Sequence, residues 1–123
     1  MPKKILVVDD KANIVLSLEF LMNKAGYEVR TASDGEEALA AIDADPPDLI
    51  LLDVNMPTKN GFEVCEAIRA RNEWSHIRII MLTAHGRDIE REKGLALGAD
   101  DYLTKPFAIQ EVVSKVQELL EHS

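Results

Sequence analysis

Asp48-Leu49-Ile50-Leu51-Leu52-Asp53, followed by the loop Met56-Pro57-Thr58-Lys59-Asn60-Gly61, decides the reading of the fold. A run of Leu and Ile bounded by chain breakers reads as a strand buried on both faces. A carboxylate at the end of such a strand lies where open parallel sheets keep their ligands, outside the carboxyl ends of the strands. Taken alone, Asp53 reads better as an aspartate that merely caps the loop. The rest of the chain shifts that balance.

Outward from this stretch, the same pattern repeats. Ile5-Leu6-Val7-Val8 is a first strand, ending in Asp9-Asp10. Residues 12–25 carry Ile14, Leu18, Leu21, Met22 and Ala25 at helical spacing, and Gly26 supplies the stop. Tyr27-Glu28-Val29-Arg30-Thr31-Ala32 alternates and reads as an edge strand. Asp34 is the expected N-cap of the next helix, with Glu37 as its reciprocal partner. Pro46-Pro47 ends that helix near residue 45. After the Asp53 strand, a helix is expected from about residue 61 to 71, with Phe62, Cys65 and Ile68 inward and Trp74 packed over its end.

Ile77-Arg78-Ile79-Ile80-Met81-Leu82-Thr83 gives the fourth strand. A charged helix with a weak apolar stripe, expected to be solvated and mobile, follows over residues 88–97. Gly94 inside it costs about 1 kcal/mol relative to Ala. Ala99-Asp100-Asp101-Tyr102-Leu103-Thr104 is a short fifth strand, and Lys105-Pro106 the turn after it. Ile109, Val112, Val113, Val116, Leu119 and Leu120 mark a strongly amphipathic last helix. Five strand–helix units with short connections predict a doubly wound α/β fold with five helices and a parallel sheet in the order 2-1-3-4-5. All of residues 1–123 are expected to form one domain.

Composition narrows the function. The chain is 46% hydrophobic and 29% charged, enough apolar residue for a core and too little bias for disorder. Fourteen Lys and Arg against 22 Asp and Glu give a net charge of −8, which argues against a basic nucleic-acid face. No apolar stretch has the length of a membrane span, and the basic start Met1-Pro2-Lys3-Lys4 leads into a run too short for a signal peptide. Cys65, the single cysteine, suits a reducing cytoplasm and reads as a buried thiol. His76, His85 and His122 have no metal-ligand spacing with one another or with Cys65.

In the predicted order, strands one, three, four and five are neighbours. Their carboxyl ends carry Asp9 and Asp10, then Asp53, then Thr83, then Thr104-Lys105. Three crowded carboxylates repel, so they must take up protons or a cation. An oxygen-rich site with an open face suits Mg²⁺. The chemistry that fits is phosphoryl transfer to a carboxylate, forming an acyl phosphate. Mg²⁺ would neutralise developing charge while Lys105 and the Thr83 hydroxyl engage phosphoryl oxygens. Among competing motifs, there is no P-loop, no G-x-G-x-x-G after a strand and no Ser-His-Asp pattern.

With these residues assembled, the chain resembles the response-regulator receiver domains, in particular the chemotaxis-type single-domain regulators. The resemblance is carried by Ile5-Leu6-Val7-Val8-Asp9-Asp10, by Leu51-Leu52-Asp53 with Met56-Pro57 and Gly61, and by Leu82-Thr83-Ala84. The block from Gly98 through Asp101-Tyr102-Leu103-Thr104-Lys105-Pro106-Phe107 completes it. It implies a flavodoxin-like fold and phosphorylation of Asp53 from the phosphohistidine of a histidine kinase or histidine phosphotransfer protein. It also implies Mg²⁺, replaceable by Mn²⁺, on Asp10, Asp53 and the Asn55 backbone carbonyl, with Asp9 acting partly through water. Thr83 and Tyr102 would be a switch pair controlling the surface of helix four, strand five and helix five. Asn55 and His85 would tune hydrolysis, and Lys105-Pro106 would be a cis bond that aims the lysine.

Two departures stand out. Lys59-Asn60 replaces the more usual Met-Asp, and Ala108 leaves the last helix without a side-chain N-cap, a loss of about 1 kcal/mol. An aspartyl-phosphate phosphohydrolase is a competing class, but it would want an acid two residues after Asp53, where Asn55 stands. A pseudo-receiver that only binds partners would lack the acceptor or the lysine, and both are present. The end at Glu121-His122-Ser123 fits a single-domain regulator, and a receiver taken from a longer protein reads the same.

Overall fold

The computed structural model describes residues 2–84 and 88–121. Five parallel strands, β1 (Lys4–Val8), β2 (Glu28–Ala32), β3 (Leu49–Asp53), β4 (Arg78–Ala84) and β5 (Asp101–Lys105), form one sheet in the order β2-β1-β3-β4-β5. The intervening helices are α1 (Ala12–Lys24), α2 (Gly35–Ala44), α3 (Gly61–Arg69), α4 (Asp88–Ala96) and α5 (Ile109–Glu121), with a 3₁₀ turn at Asn72–Trp74. This is the flavodoxin-like architecture expected from the alternation of strand and helix. All five β3 residues are buried, as its Leu and Ile run requires, while edge strand β2 has only Ala32 buried.

Because strand side chains alternate between faces, the sheet separates two apolar clusters. Leu6, Val8, Ile50, Leu52, Ile79 and Met81 point toward α2 and α3. Ile5, Val7, Leu49, Leu51, Ile80, Leu82 and Leu103 point toward α1 and α5, where Leu18, Met22, Val112 and Val116 complete the layer. The register carries this alternation to the strand ends: Val8 lies opposite Leu52, Asp53 opposite Leu82, and Ala84 opposite Lys105.

Local sequence accounts for most boundaries. Gly26, with φ of 97°, ends the first helical unit in a conformation other residues rarely adopt. Asp34 caps α2, its side chain accepting from the Glu37 N–H at 2.8 Å. The reciprocal half differs from expectation: Glu37 reaches the Ser33 N–H and hydroxyl, at 3.2 and 3.1 Å, one residue before the cap. Asn60 and Glu63 form a complete capping box at the start of α3. Trp74 is buried beyond α3, and the Arg71 guanidinium stacks 3.9 Å from its ring centroid.

Helix α4 is seated in a way its sequence does not suggest. Gly94 is buried, and a Cβ there would lie 3.1 Å from Met81 Cγ, so this glycine lets α4 approach β4 closely. Its C-terminal side is tied to α3, with Arg69 Nε donating to the Gly98 carbonyl at 2.8 Å and Arg69 Nη2 to Asp100 at 3.0 Å. Asp100 also accepts from the Ile79 N–H at 2.8 Å and returns its own N–H to the Ile79 carbonyl, so β5 begins at Asp101.

Candidate functional site: an acidic pocket at the carboxyl ends of the strands

Asp9, Asp10 and Asp53 come together as the strand order predicts. One carboxylate oxygen from each lies within 4.8 Å of the others. Asp9 and Asp53 are buried, and Asp10 is exposed at the rim. Lys105, the last residue of β5, reaches into the cluster. Its Nζ lies 2.8 Å from Asp9 Oδ2 and 3.2 Å from Asp53 Oδ1. The Lys105-Pro106 peptide is cis, as expected.

The two oxygens of Asp53 are not equivalent. Oδ1 accepts from Lys105 and, at 3.4 Å, from the Asn55 N–H. Oδ2 is buried without a hydrogen-bond partner. Burial pushes the Asp53 carboxyl up to about 6 from an ordinary 3.8, and the Asp9 charge adds to this; Lys105 and the Asn55 amide pull the other way. For Lys105 burial disfavours the charged form, but the hydrogen bond to Asp9 and the charges of Asp53 and Asp9 outweigh it, holding the ammonium above its ordinary value. An orphaned carboxylate oxygen beside two more carboxylates and an open rim fits a hard divalent cation.

Thr83 is buried at the end of β4, its hydroxyl donating to the Leu103 carbonyl at a long 3.4 Å. Tyr102 lies opposite Met81, and Thr83 opposite Thr104. Tyr102 is thus diagonal to Thr83 on the face they share, rather than directly beside it. The half-buried Tyr102 ring has Arg91 at 5.1 Å and Lys115 at 5.6 Å from its centroid. Asn55 is exposed and lines the cavity over Asp53. His85 lies outside the described residues.

Several neighbours were not singled out in the sequence. Lys11 donates its backbone N–H to Asp9 Oδ1 at 2.9 Å and turns that carboxylate toward Lys105. A cavity of about 970 Å³ opens from Asp53, Asn55 and Lys105 along α1 to Leu16 and Phe20, 65% and 66% exposed. Their i, i+4 spacing outside the buried Leu18–Met22 stripe was the available signal. Gly61 was visible as a glycine, but not its contact: a Cβ there would lie 2.2 Å from the Asp53 carbonyl oxygen.

A doubly wound sheet with this pocket at its switch point defines a phosphoacceptor signalling module. The model of the response regulator receiver domain matches residues 5–117, and the chain belongs to that family. It is 48% identical over 123 residues to the alkaline phosphatase synthesis transcriptional regulatory protein PhoP of Bacillus subtilis (strain 168), covering 100% of this chain and 50% of that protein. The chain spans about half the length of the curated relatives it matches. Among solved structures it is similar to a Chloroflexus aurantiacus J-10-fl protein described as a response regulator, with a TM-score of 0.95, 40% identity, and coverage of 98% and 99% of the two chains. The chemotaxis response regulator CheY4 of Vibrio cholerae gives a TM-score of 0.91 at 37% identity, covering 97% of this chain and 99% of that one. Among the described residues, no helix is long and apolar enough to cross a membrane.

Proposed function

We propose that Asp53 is the phosphoryl acceptor of a two-component switch, loaded from the phosphohistidine of a histidine kinase or histidine phosphotransfer protein. The observation that carries this reading is the unpartnered, buried Asp53 Oδ2 beside Asp9, whose two oxygens are already engaged by Lys105 and the Lys11 N–H. An Asp53 oxygen attacks phosphorus, the phosphorus–nitrogen bond breaks, and the imidazole leaves to take up a proton. Lys105, held by Asp9, stands ready to pair with a phosphoryl oxygen, and Thr83 presents a hydroxyl from the adjacent strand. Asp9, Asp10, Asp53 and the Asn55 carbonyl would hold Mg²⁺, or Mn²⁺ in its place. When bound, the ion supplies neutralisation of the charge on the transferred group. The protein is a signalling switch that contributes catalysis to its own phosphorylation and dephosphorylation. Asn55 and His85 set the lifetime of the acyl phosphate.

Output follows from the shared face of Thr83, Met81 and Tyr102. Drawing the Thr83 hydroxyl toward a phosphoryl group gives up its long bond to Leu103 and frees space beside Met81, on which Gly94 of α4 rests. The Tyr102 ring turns into that space, shifting populations of the α4–β5–α5 surface for a protein partner. The free, buried Cys65 thiol is compatible with a cytoplasmic location.

The test is intact mass after incubation with a small phosphodonor. One phosphoryl group is expected with Mg²⁺, none with chelator, and none in Asp53→Asn. Labelling of Asp53→Asn at the wild-type level would overturn the assignment.

A further inference from the structure

The segment between Asp53 and α3 is tightly confined. At its far end the Gly61 N–H donates to the Val54 carbonyl at 2.9 Å, closing residues 54–61 into a noose, while Gly61 itself abuts the Asp53 carbonyl. Within the noose, the Lys59 backbone rests on Gly35, the first residue of α2. A Cβ on Gly35 would lie 2.1 Å from the Lys59 carbonyl oxygen, 2.7 Å from its carbon and 2.5 Å from Lys59 Cβ. Ordinary contact begins at 3.4 Å, so any side chain at residue 35 forces the Lys59 backbone and the start of α2 apart by about an ångström or more.

Conformational freedom does not explain this glycine. The positive-φ glycines among the described residues are Gly26 and Gly98. In a helix, alanine is favoured over glycine by about 1 kcal/mol. What residue 35 supplies is the absence of a side chain under the loop. A displaced Lys59 cannot pass its shift forward, because the Asn60 capping box and the Gly61–Asp53 contact block it. The shift goes back through Thr58, whose φ of 64° already places a β-branched residue in the left-handed region, toward Asn55.

We infer that Gly35 is a positioning residue for the phosphoacceptor site: it seats the Lys59 backbone and thereby sets the Asn55 carbonyl relative to Asp53 for Mg²⁺. This rests on the reading above that the Asn55 carbonyl completes the metal site. Gly35 touches neither metal nor phosphoryl group, and acts through the loop.

The experiment is an Mg²⁺ titration of the unphosphorylated protein, followed at the Asn55 amide by ¹H–¹⁵N NMR. Gly35→Ala is expected to move that amide before metal is added and to weaken Mg²⁺ about tenfold, the lower end for loss of a supporting contact at a metal site. Ile42→Val, which loosens buried packing elsewhere on α2, is expected to lower the melting temperature while leaving Mg²⁺ affinity unchanged. Adding Thr58→Gly to Gly35→Ala lets the loop absorb the shift, so the affinity of the double variant should fall between the single variant and wild type. Wild-type affinity and an unmoved Asn55 amide in Gly35→Ala overturn the inference and leave the metal-site reading standing. Should the single variant fail to fold, the same result in the double variant overturns it. Absence of any Mg²⁺-dependent shift at Asn55 and Asp53 in the wild-type protein removes both.

Discussion

Replacing Asp53 by Asn should stabilise the metal-free protein at neutral pH. The carboxyl is raised from 3.8 to about 6, chiefly by burial and then by Asp9. A raised folded-state value means that the native protein binds the proton more tightly than the unfolded chain. The resulting stabilisation is fully present below about pH 3.8 and is lost as pH rises through about 6. Above that, wild type carries an ionised carboxylate that the fold disfavours. The rise from 3.8 to about 6 corresponds to about 3 kcal/mol. Relaxation of Lys105 and entry of water reduce that ceiling, so about 1–2 kcal/mol is the expected gain for Asp53→Asn. Asparagine keeps an oxygen for Lys105, and Lys105 keeps Asp9 at 2.8 Å. For a domain of this size the gain is about 3–10 °C in melting temperature. The assay is thermal and urea unfolding of both proteins in chelator from pH 4 to pH 8. The difference between them should be near zero at pH 4 and reach its plateau above pH 7, with other titrating groups cancelling. Saturating Mg²⁺ should raise wild type and shrink the gap. A difference that is independent of pH, or an Asp53→Asn protein less stable than wild type at pH 8 in chelator, would refute the argument.

Asp10→Ala should remove the Mg²⁺-dependent rise in melting temperature, which in wild type follows the logarithm of ion concentration over Kd; an undiminished rise would exclude Asp10 as a ligand. With beryllofluoride and Mg²⁺, Thr83→Ala should retain chemical-shift changes around Asp53 while losing most of those at Tyr102 and in α4, and equal distal changes in both proteins would break the proposed route. Asn60→Ala, which removes half of a complete capping box, should cost about 1 kcal/mol in urea unfolding, and a cost near zero would show that Glu63 alone holds the start of α3.

Much of this molecule was legible in one pass along the chain. Strand–helix alternation implied a parallel sheet, and the Leu and Ile run before Asp53 marked a central strand. Acids at the ends of β1 and β3 and a lysine at the end of β5 could be assembled from topology before any side chain was seen. What escaped depends on contacts between distant segments. Thr83 and Tyr102 could be named as a pair without their register, and the pairing of β4 with β5 sets Met81 opposite Tyr102 and Thr104 opposite Thr83, so the two meet on the diagonal. Gly94 read as a weak point in a charged helix, yet it is where α4 meets Met81. Glu37 was expected to reach back to Asp34, and the Ser33 N–H and hydroxyl took it instead. Asn60-Gly61-Phe62-Glu63 carried a visible capping signal, masked by reading Asn60 as part of the loop.

The alternation of side chains across the sheet has a consequence for traffic at the two sides of the molecule. Asp53, Ala84 and Lys105 share the parity of Leu51, Leu82 and Leu103, so their pocket opens on the α1 side. Thr83 and Tyr102 have the opposite parity and belong to the side of Met81 and α4. A molecule seated over Asp53 along α1 leaves the α4 side uncovered, so in the proposed switch loading and readout would have separate doors. A one-residue slip in β4 would exchange the two sets, moving Thr83 to the entrance and a leucine into the relay. A length change inside the fourth strand therefore disturbs both faces of the sheet at once.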